Sequence, residues 1–198
     1  MAGVSGQGRR FDLTSAVEAA TQVFWEWGYE GASLATLTTA MGIRPPSLYA
    51  AFGSKESLFF TVVDHYNATH GRFLAEAVAA ELGGTRLADR VLNEAATHYA
   101  STGHPGGCLV ISAAVTVTPG HRHVADRLAG LRNQNLATFE SAFRRDIDSG
   151  ELPPHAEPAR LARFVAATLQ GMSQQARDGA QVEDLRAVAA LALTAIRG

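Results

Sequence analysis

A single cysteine, a single lysine and no long apolar run are the scarcities of this sequence, and each removes a class of protein. Cys108 alone cannot build an intramolecular disulfide framework or an all-cysteine metal site. That fits a reducing compartment, and a cytoplasmic location is expected. No segment approaches the ~18 to 20 apolar residues of a membrane span, and the Gly-rich, polar stretch Met1 to Arg10 has no apolar core of a signal peptide. Neither secretion nor a membrane partner is expected. Catalytic grammar is missing too: there is no Gly-x-Ser-x-Gly, phosphate-binding loop or dinucleotide fingerprint. His121 and His123 stand two apart, so on a helix they diverge, and no paired ligands accompany them. The sequence therefore calls for no enzyme, no cofactor and no metal. A strong charge of one sign is also lacking. With a formal net charge of -2, the whole chain offers no electrostatic attraction to nucleic acid. Up to residue 60, Arg9, Arg10, Arg44 and Lys55 face Asp12, Glu18, Glu26, Glu30 and Glu56. Any affinity for DNA must come from where the few cations are placed.

What is present is helix. The 198 residues are 46% hydrophobic, enough for a core without disulfides, and short Gly, Pro and Ser breaks separate Ala-, Leu-, Glu- and Arg-rich segments with no alternating strand pattern. An all-α fold is expected. The first helix opens at an Asp12 or Thr14 cap and runs to Trp27, with Leu13, Ala16, Ala20, Phe24 and Trp27 on one face and Gly28 as its stop. A second starts at the Ser33 cap and ends in the glycine turn Met41-Gly42-Ile43. A third, from Pro45, is pinned by Leu48 and Phe52 and closed by Gly53. Helix, glycine turn, helix is helix-turn-helix grammar.

Ser54 then caps a long fourth helix, Lys55 to about Leu82, closed by Gly83-Gly84. Further helices are expected over 87–100, 124–148, about 158–178 and 183–196. The β-branched stretch Cys108 to Val117 reads as strand or buried helix, and lack of a partner strand favours helix. On the last two helices, Leu161, Phe164, Val165, Thr168, Leu169 and Met172 form one apolar face. Leu185, Val188, Ala189, Leu191, Ala192 and Ile196 form another, and together they suit a four-helix contact between two copies.

The ordered set Gly28-Tyr29, Leu37-Thr38, Met41-Gly42-Ile43, Ser47-Leu48-Tyr49, Phe52, Ser54-Lys55-Glu56 and Leu58 resembles the N-terminal DNA-binding domain of TetR/AcrR-family regulators. The resemblance implies nine or so helices, a helix-turn-helix head over residues 11–53, and a ligand-binding and dimerisation domain over 54–198 whose linking helix is 54–82. It implies a homodimeric repressor that binds a palindromic double-stranded operator and leaves it when a small-molecule inducer binds. On the third helix, Arg44, Pro45, Pro46, Ser47 and Ala50 would lie near base edges, while Tyr49 and Lys55 reach phosphates. Arg44 suits a bidentate contact to guanine or a phosphate contact. Thr36 and Thr38 on the second helix can donate to phosphates or to preceding carbonyls of their own helix. Where many relatives have a hydroxyl cap, a basic residue and a glycine, this chain has Arg44-Pro45-Pro46, which offers the DNA fewer backbone donors. Ala51 replaces a frequent histidine or aromatic. Residues 1–10 are expected to form a flexible arm whose Arg9 and Arg10 either reach an adjacent groove or remain solvated.

For the ligand domain, the resemblance and the aromatic and polar residues on its helices nominate Tyr66, Phe73, His98, Tyr99, Cys108, Phe139, Phe143, Gln170 and Met172 as pocket residues, with core packing as their other reading. Cys108, after Gly106-Gly107 at a helix start, is either a thiolate-prone sensor or an inert buried thiol. Two alternatives to the inducible repressor follow: a DNA-binding redox sensor acting through Cys108, and a helical small-molecule binder that has lost DNA binding.

Overall fold

The structure, a computed structural model, describes residues 12–197. The arm with Arg9 and Arg10 lies outside them. Three helices make the head: α1 (Leu13–Gly31), α2 (Leu34–Met41) and α3 (Pro45–Phe52). The body contains α4 (Lys55–Ala68), α5 (Arg72–Ala79), α6 (Gly84–Tyr99), the single turn α7 (Leu109–Ser112), α8 (Arg122–Ser149), α9 (Pro158–Arg177) and α10 (Val182–Arg197). A 3-10 turn, Pro119–His121, leads into α8.

Asp12 is the first cap, accepting from the amides of Thr14 and Ser15 at 3.1 and 3.3 Å. Ala16, Ala20 and Phe24 are buried as expected, but Leu13 and Trp27 are 51% and 62% exposed. The buried tryptophan is Trp25, which meets the Tyr66 ring edge-on at 4.9 Å and donates its indole N–H to the Gly106 carbonyl at 2.9 Å.

Gly28 does not stop α1; it kinks it. At φ 70° and ψ 177° it occupies a region that side chains exclude, and helix resumes to Gly31. The kink exchanges hydrogen-bond partners. The Tyr29 amide leaves the α1 ladder for the Ala113 carbonyl at 2.6 Å, while the Trp25 and Glu26 carbonyls accept from the Arg177 guanidinium at 2.9 and 3.0 Å.

The single fourth helix expected to reach Leu82 is two helices. The chain breaks at Thr69 (φ -121°, ψ -91°), and Gly71 returns its amide to the Tyr66 carbonyl at 2.8 Å, turning α5 back across the Tyr66 ring. Gly83 and Gly84 open α6 rather than close α4. A Cβ on Gly83 would stand 2.1 Å from Asp146 Oδ1, and one on Gly84 would stand 2.6 Å from the Phe143 Cα, so only glycines let α6 approach α8 this closely. The buried helix expected over Cys108 to Val117 shrinks to the one turn of α7. Its carbonyls are claimed by other elements: Val110 by Arg132 at 2.7 Å and Ala113 by Tyr29.

Two apolar cores result. One joins the head to α4, α7 and the start of α8; the other lies among α5, α6, α8, α9 and α10, and Cys108 packs against both. On α9 and α10, Val165, Leu169, Met172, Leu185, Ala189, Ala192 and Ile196 are used inside the chain. Phe164, Val188 and Leu191 stay exposed at 42%, 39% and 73%, so the apolar surface left for another copy is narrower than the sequence suggests.

Candidate nucleic-acid interface and ligand cavity

The helix-turn-helix is held by its own caps. Ser33 Oγ accepts from the Thr36 amide at 3.0 Å, and Gly42, left-handed at φ 66° and ψ 28°, closes α2. Leu37 and Leu48 are fully buried beneath the turn. That anchoring leaves Arg44, Pro45, Pro46, Ser47, Tyr49 and Ala50 all exposed on one side of the head, with Tyr49 at 47%. Pro45 and Pro46 have no amide hydrogen, and the Ser47 amide already donates to the Arg44 carbonyl at 2.9 Å. The N-terminus of α3 thus has no free N–H in its first turn for a phosphate, and side chains must do that work.

The remaining expected contacts are placed differently. Thr36 is exposed beside its cap. Thr38 is buried and donates its hydroxyl to the Leu34 carbonyl at 2.8 Å, so it takes the intrahelical of its two readings and is turned from the exposed face. Lys55 is half-buried, with its Nζ 4.7 Å from the Tyr29 ring centroid, and burial lowers its pKa. Its ammonium sits between the head and the body instead of projecting with Tyr49.

That junction is dense in polar contacts. Glu30 accepts from the Thr118 amide and hydroxyl at 2.8 and 2.9 Å and pairs with His121 Nδ1 at 2.8 Å, while Glu56 pairs with His123 Nε2 at 2.7 Å. Glu18 bridges His65 and His70 at 2.8 and 2.9 Å. The Thr118 amide, followed by the His121 ring, holds the Glu30 carboxyl down at about 2 from an ordinary 4.5. A carboxylate with a depressed folded pKa stabilises the fold above its unfolded pKa, and this is lost as pH falls from 4.5 toward 2. A Glu30→Gln variant is expected to have a lower urea midpoint than wild type at pH 6, with the gap closing across that acid range. A gap independent of pH would remove Glu30 as its source.

Behind the junction lies a cavity of about 360 Å³ between α4, α5, α7, α8 and α9. Six expected residues line it: Tyr66, Phe73, Tyr99, Cys108, Phe139 and Gln170. Three do not. His98 is exposed and stacks on the outside of Phe73 at 4.8 Å, Phe143 is buried where α6 crosses α8, and Met172 is core. The residues that sequence reasoning passed over are polar groups on α8 and α4, namely Arg132, Gln134, Asn135 and Asn67. Their signal was available: Val124, Leu128, Phe139 and Phe143 mark the buried stripe of α8, and Arg132 and Asn135 interrupt it at i+4 and i+7 from Leu128.

Cys108 is the N-cap of α7 and faces the cavity wall. Of its two readings the inert thiol is favoured: burial pushes its pKa up, with the Tyr66 hydroxyl and the Ile111 and Val110 amides only partly opposing this. A four-residue helix supplies little dipole, and desolvation outweighs it.

A head built on helix-turn-helix geometry, carried by a helical body with a half-open cavity, defines a one-component DNA-binding regulator. The comparisons identify which. Residues 16–62 match the family described as bacterial regulatory proteins, tetR family, and residues 83–191 match the tetracyclin repressor-like C-terminal domain. The HTH-type transcriptional repressor ComR of Escherichia coli (strain K12) is 33% identical over 192 residues, covering 95% of this chain and 90% of that protein. BdcR, a repressor of the same organism, is 33% identical over 195 residues, covering 98% and 93%. Among solved structures, a cysteine mutant of the TetR family transcriptional regulator CifR, complexed with 26bp double-strand operator DNA, superposes with a TM-score of 0.88 at 43% identity, covering 96% of this chain and 99% of that one. The chain belongs to the TetR family of transcriptional regulators. Among the described residues, no helix is long and apolar enough to cross a membrane.

Proposed function

We propose that the protein is a homodimeric repressor that grips a palindromic double-stranded operator through α3 and releases it when a small molecule enters the cavity. The observation that carries this reading is the continuous path from one site to the other. Cys108, Val110 and Ile111 line the cavity; the same segment ends at Ala113, whose carbonyl holds the Tyr29 amide at the kink of α1. A ligand that displaces α7 shifts α1 and the head with it. Pairing of two copies through Phe164, Val188 and Leu191 on α9 and α10 would set two α3 helices at the ~34 to 36 Å repeat of successive major grooves, and a displaced head would lose that match. The CifR complex with operator DNA supports the first half of this reading, and a FadR of Bacillus subtilis solved with stearoyl-CoA, a fold match at TM-score 0.67, illustrates a related fold with a small molecule bound.

The half-buried Cys108 thiol, its pKa raised by desolvation, weighs against the redox sensor. The exposed face of α3 weighs against a binder without DNA affinity.

Fluorescence anisotropy with the chain's own upstream DNA tests the reading. Tyr49→Ala is expected to weaken binding to every sequence alike and to reduce the salt slope. Arg44→Ala is expected to relax preference at one operator position by roughly 1 to 3 kcal/mol if it reads a base. Unchanged affinity in both variants, or no salt-dependent binding by the parent protein, overturns the proposal.

A further inference from the structure

Arg132 is the one charged side chain on the cavity wall; no aspartate, glutamate, lysine or histidine joins it among the described residues. One of its nitrogens donates to the Val110 carbonyl at 2.7 Å and fixes the guanidinium against α7. The rest of the fork has no protein acceptor, and Arg132 forms no ion pair among the described residues. Asp126, which borders the neighbouring groove with Arg132, is engaged by Arg122 Nε at 3.2 Å. Arg132 is half-buried, and a partly desolvated charge gains from a partner that fills the rest of its fork. Burial lowers the Arg132 pKa.

The surroundings narrow the missing partner. The walls are chiefly apolar and aromatic, from Phe73, Leu74, Val78, Leu136 and Phe139. Asn135, one turn further along α8, and Asn67 on α4 add neutral donors to the same wall. At about 360 Å³ the space sits near the lower end of the ~300 to 1,000 Å³ usual for small-molecule sites, which suits one ring or a short chain.

We propose that the cavity takes a small organic monoanion, a carboxylate on an apolar ring or short chain, with its charged end on Arg132 and its apolar end against Phe73 and Phe139. The fork of Arg132 matches the two oxygens of a carboxylate, and Asn135 serves the lone pairs left over. Because Arg132 also holds the Val110 carbonyl, an arriving anion pulls on the residue that anchors α7, the segment that grips Tyr29. This rests on the cavity being the inducer site proposed above, but binding alone tests it.

Calorimetry on the full chain without DNA compares matched probes that differ in charge: benzoate with benzamide, and octanoate with octanamide, with inorganic phosphate as the anion that lacks an apolar part. The expected result is a preference of about tenfold or more for each carboxylate over its amide, and no saturable binding of phosphate. In Arg132→Met the preference is expected to vanish, and in Arg132→Lys to return in part. Equal affinity of acid and amide, binding of none of the four organic probes, or a preference that survives in Arg132→Met overturns the proposal. The wild-type comparison holds even if a variant folds poorly. Operator release is read separately: carboxylate binding without release leaves the anion site standing and refutes the inducer reading, whereas release by the amides does the reverse.

Discussion

Replacing Asp146 with alanine is expected to cost roughly 3 to 5 kcal/mol of stability, the largest loss of any single polar substitution in the body. The start of α6 has no capping side chain of its own, since Gly83 and Gly84 have none. Its orphan donors are served from across the core. Asp146 on α8, 1% exposed, accepts from the Gly84 amide at 2.9 Å and from the Thr85 amide and hydroxyl at 2.8 and 2.9 Å. A carboxylate at a helix N-terminus meets both those N–H groups and the positive end of the peptide dipoles. Truncation to alanine strands a buried amide that water reaches poorly, and hydrogen bonds to a charged acceptor are worth about 1.5 to 3 kcal/mol each. The melting temperature should fall by about 10 °C, taking ~2 to 4 °C per kcal/mol for a chain of this size. Asp146→Asn, which keeps one acceptor oxygen, should fall between the two. An alanine variant with wild-type stability would mean that solvent replaces all three bonds.

The caps that acted locally were legible in the sequence; those that acted at a distance were not. Asp12, Ser33 and Ser54 cap the helices that follow them because a side-chain oxygen two or three residues before an amide reaches it whatever the rest of the fold does. The same holds for Gly42 and Pro45, whose roles depend on their own backbone. Asp146 capping α6 spans 62 residues, and Arg177 serving the carbonyls freed at Gly28 spans 152 for Trp25. No local pattern announces either. Gly83-Gly84 read as a helix end because paired glycines break helices; here their missing side chains admit a neighbouring helix, a demand set by Phe143 and Asp146 alone. At the candidate sites, the exposed residues of α3 followed from helical phase around Leu48. The cavity followed less well. Aromatic identity cannot separate Phe139, which lines it, from Phe143, one turn on and fully buried. The polar breaks in α8 carry more information than its aromatics, since a charge set into an apolar stripe marks a cavity and not close packing.

Gly28→Ala should destabilise the protein by roughly 2 to 4 kcal/mol and weaken operator binding, whereas Gly42→Ala should cost about 1 kcal/mol. Both glycines have positive φ, so a difference between them isolates what is special to the kink. Gly42 lies in the ordinary left-handed basin, and a Cβ there meets nothing within 4 Å. Gly28, with ψ 177°, sits in a region essentially confined to glycine, and its Cβ would stand 3.0 Å from the Ala113 oxygen that the Tyr29 amide holds at 2.6 Å. Relieving the strain by straightening α1 would return the Tyr29 amide to the Trp25 carbonyl and compete with Arg177 for it. Either response breaks the link between α7 and the head. Urea unfolding of both variants measures the energetic gap, and operator anisotropy measures its consequence. The operator match depends on how each head is held on its body, so loosening the kink should weaken DNA binding even though Gly28 lies away from the exposed face of α3. A Gly28→Ala protein as stable as Gly42→Ala, or one that loses stability without losing operator affinity, would show that the Tyr29 to Ala113 bond does not orient the head.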